Sequence, residues 1–307
     1  MNTSWIESIP LIGKLLTVSQ GGTTFLEALP ILWTGLTACI VCAIICGFLG
    51  VHIVLRRIVF VSAAISQVSS LGLASALLFS SFFHKSLVQG ENSTSIISLP
   101  GLCAIIFAVI SASLFAIDKK EQRLTKESVL GVAYVLPAGL VLLILDKLST
   151  ETHLIENILF GNTVFVDPNQ VIGLIVIAVL VLIIHLFLFR EFITVAFDKD
   201  VAGASGMPIN LYNQIFYFTL ALIISFAISS IGTLPVFGFM IMPASTAILF
   251  TNRIPLIFIF SVIISTISAM TGFYLSFVYS LPTGPAMLAV SGFLLLLGFI
   301  FSLLKRE

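Results

Sequence analysis

The sequence predicts an all-α, polytopic bundle of about nine transmembrane helices. Three observations predict it. Hydrophobic residues fill 59% of the 307 positions and charged residues only 9%, against about 25% charged in ordinary soluble domains. A soluble chain of this length could not hide so much apolar surface. The apolar residues gather into stretches of about 20, the length a helix needs to cross a bilayer. Basic residues collect in alternate connections, as the positive-inside rule requires of a membrane protein. A formal net charge of zero gives no case for nucleic-acid binding.

The spans follow in order. Leu29–Leu55 is apolar up to the double arginine Arg56-Arg57, and Val59–Phe83 is rich in small residues. Ile96–Ile117, Val129–Leu145 and Val171–Phe189 each run apolar between charged connections. Ile215–Ile231 and Leu234–Phe250 are short and separated only by Gly232 and Thr233, so they could also be read as one broken helix. Pro255–Val278 and the almost uninterrupted Ala286–Leu304 complete the set.

Charge decides between the two counts. With the N-terminus outside, the inner segments hold Arg56, Arg57, Lys119, Lys120, Arg123, Lys126, Arg190, Lys199, Arg253, Lys305 and Arg306. The outer segments hold only Lys14, Lys85 and Lys147. Eleven basic residues against three support an N-out, C-in chain of nine spans. Fusing the sixth and seventh spans would put Arg253 outside and spoil the bias. The outer segments are also net acidic, through Glu7, Glu27, Glu91, Asp146, Glu151, Glu156 and Asp167.

Two regions are expected. Residues 1–27 form an extracytoplasmic or interfacial segment, in which Trp5, Ile6, Ile9, Leu11, Ile12, Leu15 and Leu16 could make a helix lying in the interface. Residues 28–307 form one transmembrane domain. No basic stretch ahead of a short apolar core opens the chain, so a cleaved signal peptide is not expected. Cys39, Cys42, Cys46 and Cys103 lie in apolar stretches and do not read as a disulfide framework.

The chain has no GxxxxGK[ST] phosphate loop, no HExxH and no charged residue deep in a span. Ion-coupled transporters commonly carry intramembrane carboxylates, so energy for this chain is expected from another one. The longest inner connection contains Phe197-Asp198-Lys199-Asp200-Val201-Ala202-Gly203-Ala204-Ser205-Gly206-Met207-Pro208. It predicts a short helix capped by Asp198, supported by Ala202, ended by Gly206 and barred from continuing by Pro208. Such a helix suits either docking into a partner or plain connection.

That stretch resembles the FDPExAxxxGxP segment of ABC transporter permeases for manganese, zinc and iron. Further resemblances follow in the family's order. Gly50-Val51-His52-Ile53-Val54-Leu55-Arg56-Arg57 is similar to GxFLVLRR, and Arg123, Glu127 and Gly131 fit R…ED…G. Leu159-Phe160-Gly161-Asn162 matches LFGN. Ile231-Gly232-Thr233-Leu234 with Ile241-Met242-Pro243-Ala244-Ser245-Thr246-Ala247 resembles VGxLL…IxPAxxA, and Leu281-Pro282-Thr283-Gly284-Pro285-Ala286 matches LPxGPA. The resemblance covers about residues 28–304.

It implies a type II importer permease in the bacterial cytoplasmic (inner) membrane. The chain would pair with a second copy or a paralogue, dock ABC ATPase subunits inside and receive cargo from an extracytoplasmic metal-binding protein. It would be no enzyme and hold no cofactor, ATP being bound by the partner subunit. Asp198, Ala202, Gly206 and Pro208 would belong to the coupling helix. His153, Glu156 and Gly161 would belong to a short outer gate, and Ser62, Ser66, Gln67 and Pro243 to the translocation path.

One departure bears on cargo. The family motif after the double arginine runs GDALSH, whose Asp and His are natural metal ligands. Here Ala63 stands for the Asp and Gln67 for the His, while Ser66 is retained. Ala offers no ligand, and a Gln carbonyl is a poorer ligand than imidazole for transition metals. Cys39, Cys42 and Cys46 share a helical face and are candidate thiol ligands, although buried free Cys often acts as a small hydrophobe. His52 and His185 sit near inner ends of spans and read as packed or interfacial. His84, His153 and Glu156 could meet an incoming cation outside. The expected function is the permease of an importer for Mn, Zn or Fe. The alternatives are another cargo, such as a metal chelate, or a degenerate structural subunit of a heterodimer.

Overall fold

In the computed structural model, residues 19–20, 23–83, 99–116, 125–147 and 166–304 are described. A two-residue hairpin, β1 (Ser19–Gln20) with β2 (Thr23–Thr24), leads into the bundle. The helices are α1 (Phe25–Leu55), α2 (Val59–Phe83), α3 (Leu99–Ala116), α4 (Lys126–Lys147), α5 (Pro168–Phe187), α6 (Phe189–Phe197), α7 (Lys199–Ala204), α8 (Ile209–Ile231), α9 (Thr233–Phe250), α10 (Ile254–Tyr279) and α11 (Thr283–Leu304). Among the described residues, nine of these are long and apolar enough to cross a membrane. The hairpin is an addition that the sequence reading did not foresee.

The possible fusion of the sixth and seventh spans is resolved in favour of two helices. α8 ends and α9 begins at Gly232, whose φ of 85° and ψ of 168° lie in a region open essentially to glycine alone. Thr233 is buried, and its hydroxyl meets that of Ser70 on α2 at 2.6 Å.

At 31 residues, α1 is about 46 Å long at 1.5 Å per residue. It packs on α9 and α10 along one flank and on α5 and α8 along another. Helices already out of water gain little further from the hydrophobic effect, so close packing has to hold them together. The sequence supplies small residues where backbones cross. A β-carbon on Gly50 would collide with the Met240 carbonyl of α9, and one on Gly272 of α10 with the Met287 backbone of α11. Ser261 and Ser265 of α10 donate to the Gly47 and Ala43 carbonyls of α1 at 2.7 and 2.8 Å. These bonds join the two helices side chain to backbone.

The periphery is apolar instead of polar. Leu136 and Leu143 on α4, Ile172 and Ile183 on α5, Ile259 on α10 and Leu296 and Phe299 on α11 are all exposed. Such a continuous apolar exterior is what lipid or a partner subunit covers.

Candidate coupling surface and translocation route

The connection between α5 and α8 is built from two short helices. Asp198 is extended (φ −147°, ψ 101°), and its Oδ1 accepts the N–H groups of Asp200 at 2.9 Å and Val201 at 3.0 Å. These bonds satisfy two of the free donors at the start of α7. At the other end Gly206 adopts φ 76°. The Gly206 N–H donates to Gly203 O at 3.0 Å and the Met207 N–H to Ala202 O at 3.1 Å, the paired bonds of a Schellman stop. Pro208 then caps α8. Asp198, Gly206 and Pro208 thus occupy the structural positions expected of them, and Ala202 is the buried residue that seats α7. Phe197 and Val201 are exposed beside the carboxylates of Asp198 and Asp200. The result is a small capped knob, apolar at its centre and acidic beside it.

The preceding helix α6 is not among the elements expected from the sequence, where the fifth span runs to Phe189. In the structure α5 stops at Phe187 and Leu188 turns the chain into α6. Phe192 and Val195 of α6 are buried while Arg190 and Phe197 are exposed. The amphipathic pattern over nine residues was concealed by the longer apolar run before it.

Behind this segment lies a cluster that the sequence reading did not assemble. Arg56, in the turn between α1 and α2, reaches inward. Its Nη1 donates to Asn213 Oδ1 of α8 at 3.1 Å and its Nη2 to Phe192 O of α6 at 3.3 Å. The guanidinium lies over the Phe216 ring, 4.0 Å from the centroid, a cation–π arrangement. Burial pushes its pKa down to about 10, so it stays cationic at neutral pH. The next residue, Arg57, has φ 56°, uncommon for a side-chain-bearing residue. His52 and His185 are both fully buried here with ring centroids 5.4 Å apart, among Phe48, Phe192, Phe216 and Phe258. His185 Nδ1 lies 3.0 Å from Val181 O. A carbonyl can only accept, so that nitrogen carries the proton. Both histidines are packed, as their apolar surroundings suggested.

The small face of α2 is occupied mainly by packing. Ser62 and Ser66 are buried and donate to Val59 O and Ser62 O of their own helix, each at 2.8 Å. The Ser69 and Ser225 hydroxyls meet at 3.2 Å and approach Ala104 O at 3.3 and 3.4 Å. With the Ser70–Thr233 pair, these contacts tie α2 to α3, α8 and α9. Ala63 and Gln67 are buried as well, and no hydrogen bond ties down the Gln67 amide among the described residues. Pro243 is buried inside α9, where its missing N–H leaves the Phe239 carbonyl without its usual helical donor.

Cys39, Cys42 and Cys46 are free and buried within α1. Among the described residues no group of three or more His, Cys, Asp or Glu converges as a metal-binding set. His84, His153, Glu156 and Gly161 lie outside the described residues, as do Lys14, Lys85, Lys119, Lys120, Arg123, Lys305 and Arg306 of the charge argument.

This architecture has known counterparts. The ABC 3 transport family profile matches residues 28–302. The manganese transport system membrane protein MntC of Halalkalibacterium halodurans is 27% identical over 87% of this chain and 86% of its own length. The high-affinity zinc uptake system membrane protein ZnuB of Buchnera aphidicola is 28% identical over 89% of this chain and 99% of its own. The solved structure of PsaBC from Streptococcus pneumoniae in complex with Fab superposes with a TM-score of 0.75 at 22% identity, covering 90% of this chain and 94% of that one. The shared fold is that of type II ABC permeases. With nine apolar helices matched to this profile over nearly their whole length, the chain belongs to the ABC 3 transport family, as a multi-pass inner-membrane permease and not an enzyme.

Proposed function

We propose that this chain is the permease subunit of an ATP-driven importer whose cargo is a divalent transition metal, with Mn, Zn and Fe as the candidates. It forms the path with a second permease subunit, takes cargo from an extracytoplasmic binding protein and docks the ATPase through α7. The N-terminus is outside and the C-terminus inside, so α7 faces the cytoplasm. The observation that carries the reading is α7 itself, a six-residue helix capped at both ends, with Phe197 and Val201 exposed. Rigid, apolar-centred and flanked by Asp198 and Asp200, it fits a groove of mixed polarity on a soluble partner. The metal cargo follows the relatives, whose names carry manganese and zinc.

On this reading the subunit contributes a conduit and no bond chemistry. Conduction requires sites weak enough to release the ion. Selectivity then rests with the delivery protein and direction with the ATPase cycle. The test is reconstitution with the ATPase and binding protein in proteoliposomes, followed by uptake of radiolabelled Mn, Zn and Fe. ATP-dependent uptake of at least one is expected. Uptake of none, with ATP hydrolysis intact, would contradict metal import.

One observation favours a second reading. Ala63 and Gln67 replace the Asp and His of the motif this chain otherwise resembles, and both are buried. A route without strong ligands also suits a chelated metal, or a subunit whose paired paralogue bears the ligands. Uptake of a chelate in preference to the free ions would select the former. Uptake that needs the paralogue with an intact motif would select the latter.

A further inference from the structure

We propose that Arg56 is the positioning residue that transmits motion of the docking segment to the transmembrane route; this rests on the docking role of α7 proposed above. α7 is flanked in the chain by α6 before it and α8 after it, and it packs on both. A six-residue helix cannot move the bundle unless the helices on either side of it are coupled to something longer. Arg56 grips both: Nη2 holds Phe192 O of α6 at 3.3 Å and Nη1 holds Asn213 Oδ1 of α8 at 3.1 Å.

Its own backbone sits in the turn that joins α1 to α2. α2 begins at Val59, and its first turns carry Ser62, Ala63, Ser66 and Gln67. One guanidinium therefore connects the two legs of the docking segment to the start of the helix that bears the candidate route. The planar fork suits this task, because two donors of fixed geometry restrain both legs at once. The Phe216 face at 4.0 Å holds the plane from a third direction. Buried His52 and His185 wall the cluster with the surrounding phenylalanines, leaving little room for the fork to rotate. In low dielectric these charge-assisted bonds are stronger than at the surface. Lysine, a point charge without the fork, would keep the charge and lose the simultaneous grip.

The test uses the assembled permease–ATPase–binding-protein complex and three readouts: ATPase co-purification, ATP hydrolysis and metal taken up per ATP hydrolysed. Arg56→Lys is expected to retain assembly and hydrolysis while uptake per ATP falls about tenfold or more, the scale of typical coupling between sites. Asn213→Ala removes the α8 half of the grip with a milder change and is expected to lower the same ratio by a smaller factor. A merely structural contact would lower assembly and leave the ratio of surviving complexes unchanged. Wild-type uptake per ATP in Arg56→Lys, or loss of assembly with an unaltered ratio in both variants, would overturn the proposal. Failure of the wild-type chain to bind the ATPase would instead refute the docking role of α7, so the two failures are distinguishable.

Discussion

At the scale of single residues, burial and backbone approach set what can be changed. Gln67 is covered, and no hydrogen bond holds its amide among the described residues. Gln67→Ala is therefore expected to lower transport only modestly in the reconstituted complex. Ala63→Asp with Gln67→His restores a carboxylate and an imidazole one turn apart, on one helix face. It is expected to create metal affinity measurable by titration of the isolated permease, at the expense of turnover. Abolished transport in Gln67→Ala, with assembly intact, would make that amide an essential ligand or gate. Gly50 has the opposite character. Any side chain there meets the Met240 carbonyl of α9, and overpacking of this kind costs about 1–3 kcal/mol. Gly50→Leu should lower the thermal unfolding midpoint of the detergent-solubilised protein, whereas Gly131→Ala, facing open space on α4, should raise it slightly, because alanine favours a helix interior over glycine by about 0.5–1 kcal/mol.

At the scale of elements, the proposed docking role of α7 makes the clearest prediction. Gly206 ends α7 at φ 76°, where a β-carbon is strained by about 1–2 kcal/mol. Gly206→Val should loosen the stop, weaken ATPase co-purification or uncouple hydrolysis, and leave the chain in the membrane. Normal docking and transport would count against α7 as the coupling element. How much of this was legible follows from the kind of signal each element carries. Asp198, Gly206 and Pro208 punctuate α7 locally, so its ends could be read from residue types alone. The spans were legible because twenty apolar residues leave few alternatives in lipid. α6 was not legible, because its amphipathic nine residues follow an apolar run without a breaker. The meeting of Arg56 with Asn213, or of His52 with His185, joins residues more than 130 positions apart. No local pattern records such contacts. Neither could spacing tell that Ser69 and Ser70 spend their hydroxyls on Ala104, Ser225 and Thr233. Small residue types on one face of α2 suit a polar route and close packing alike.

At the scale of the whole molecule, the proposed function joins nine spans to a proposed docking segment at the arginine-rich end and a proposed route beginning along α2. The positive-inside rule groups Arg56, Arg190, Lys199 and Arg253 on one side of the membrane. Orientation and docking are the joint claim on which coupling depends, and one measurement addresses both. The four native cysteines are replaced, and a single cysteine is introduced by Val201→Cys on α7 or by Lys147→Cys at the far end of α4. Each variant is assembled with the ATPase in inverted and right-side-out vesicles, then treated with a membrane-impermeant thiol reagent and with a short thiol cross-linker. Val201→Cys should be labelled from the cytoplasmic side and cross-link to the ATPase, while Lys147→Cys should be labelled only from outside and not cross-link. Labelling of both from one side, or a cross-link at Lys147→Cys with none at Val201→Cys, would contradict the account.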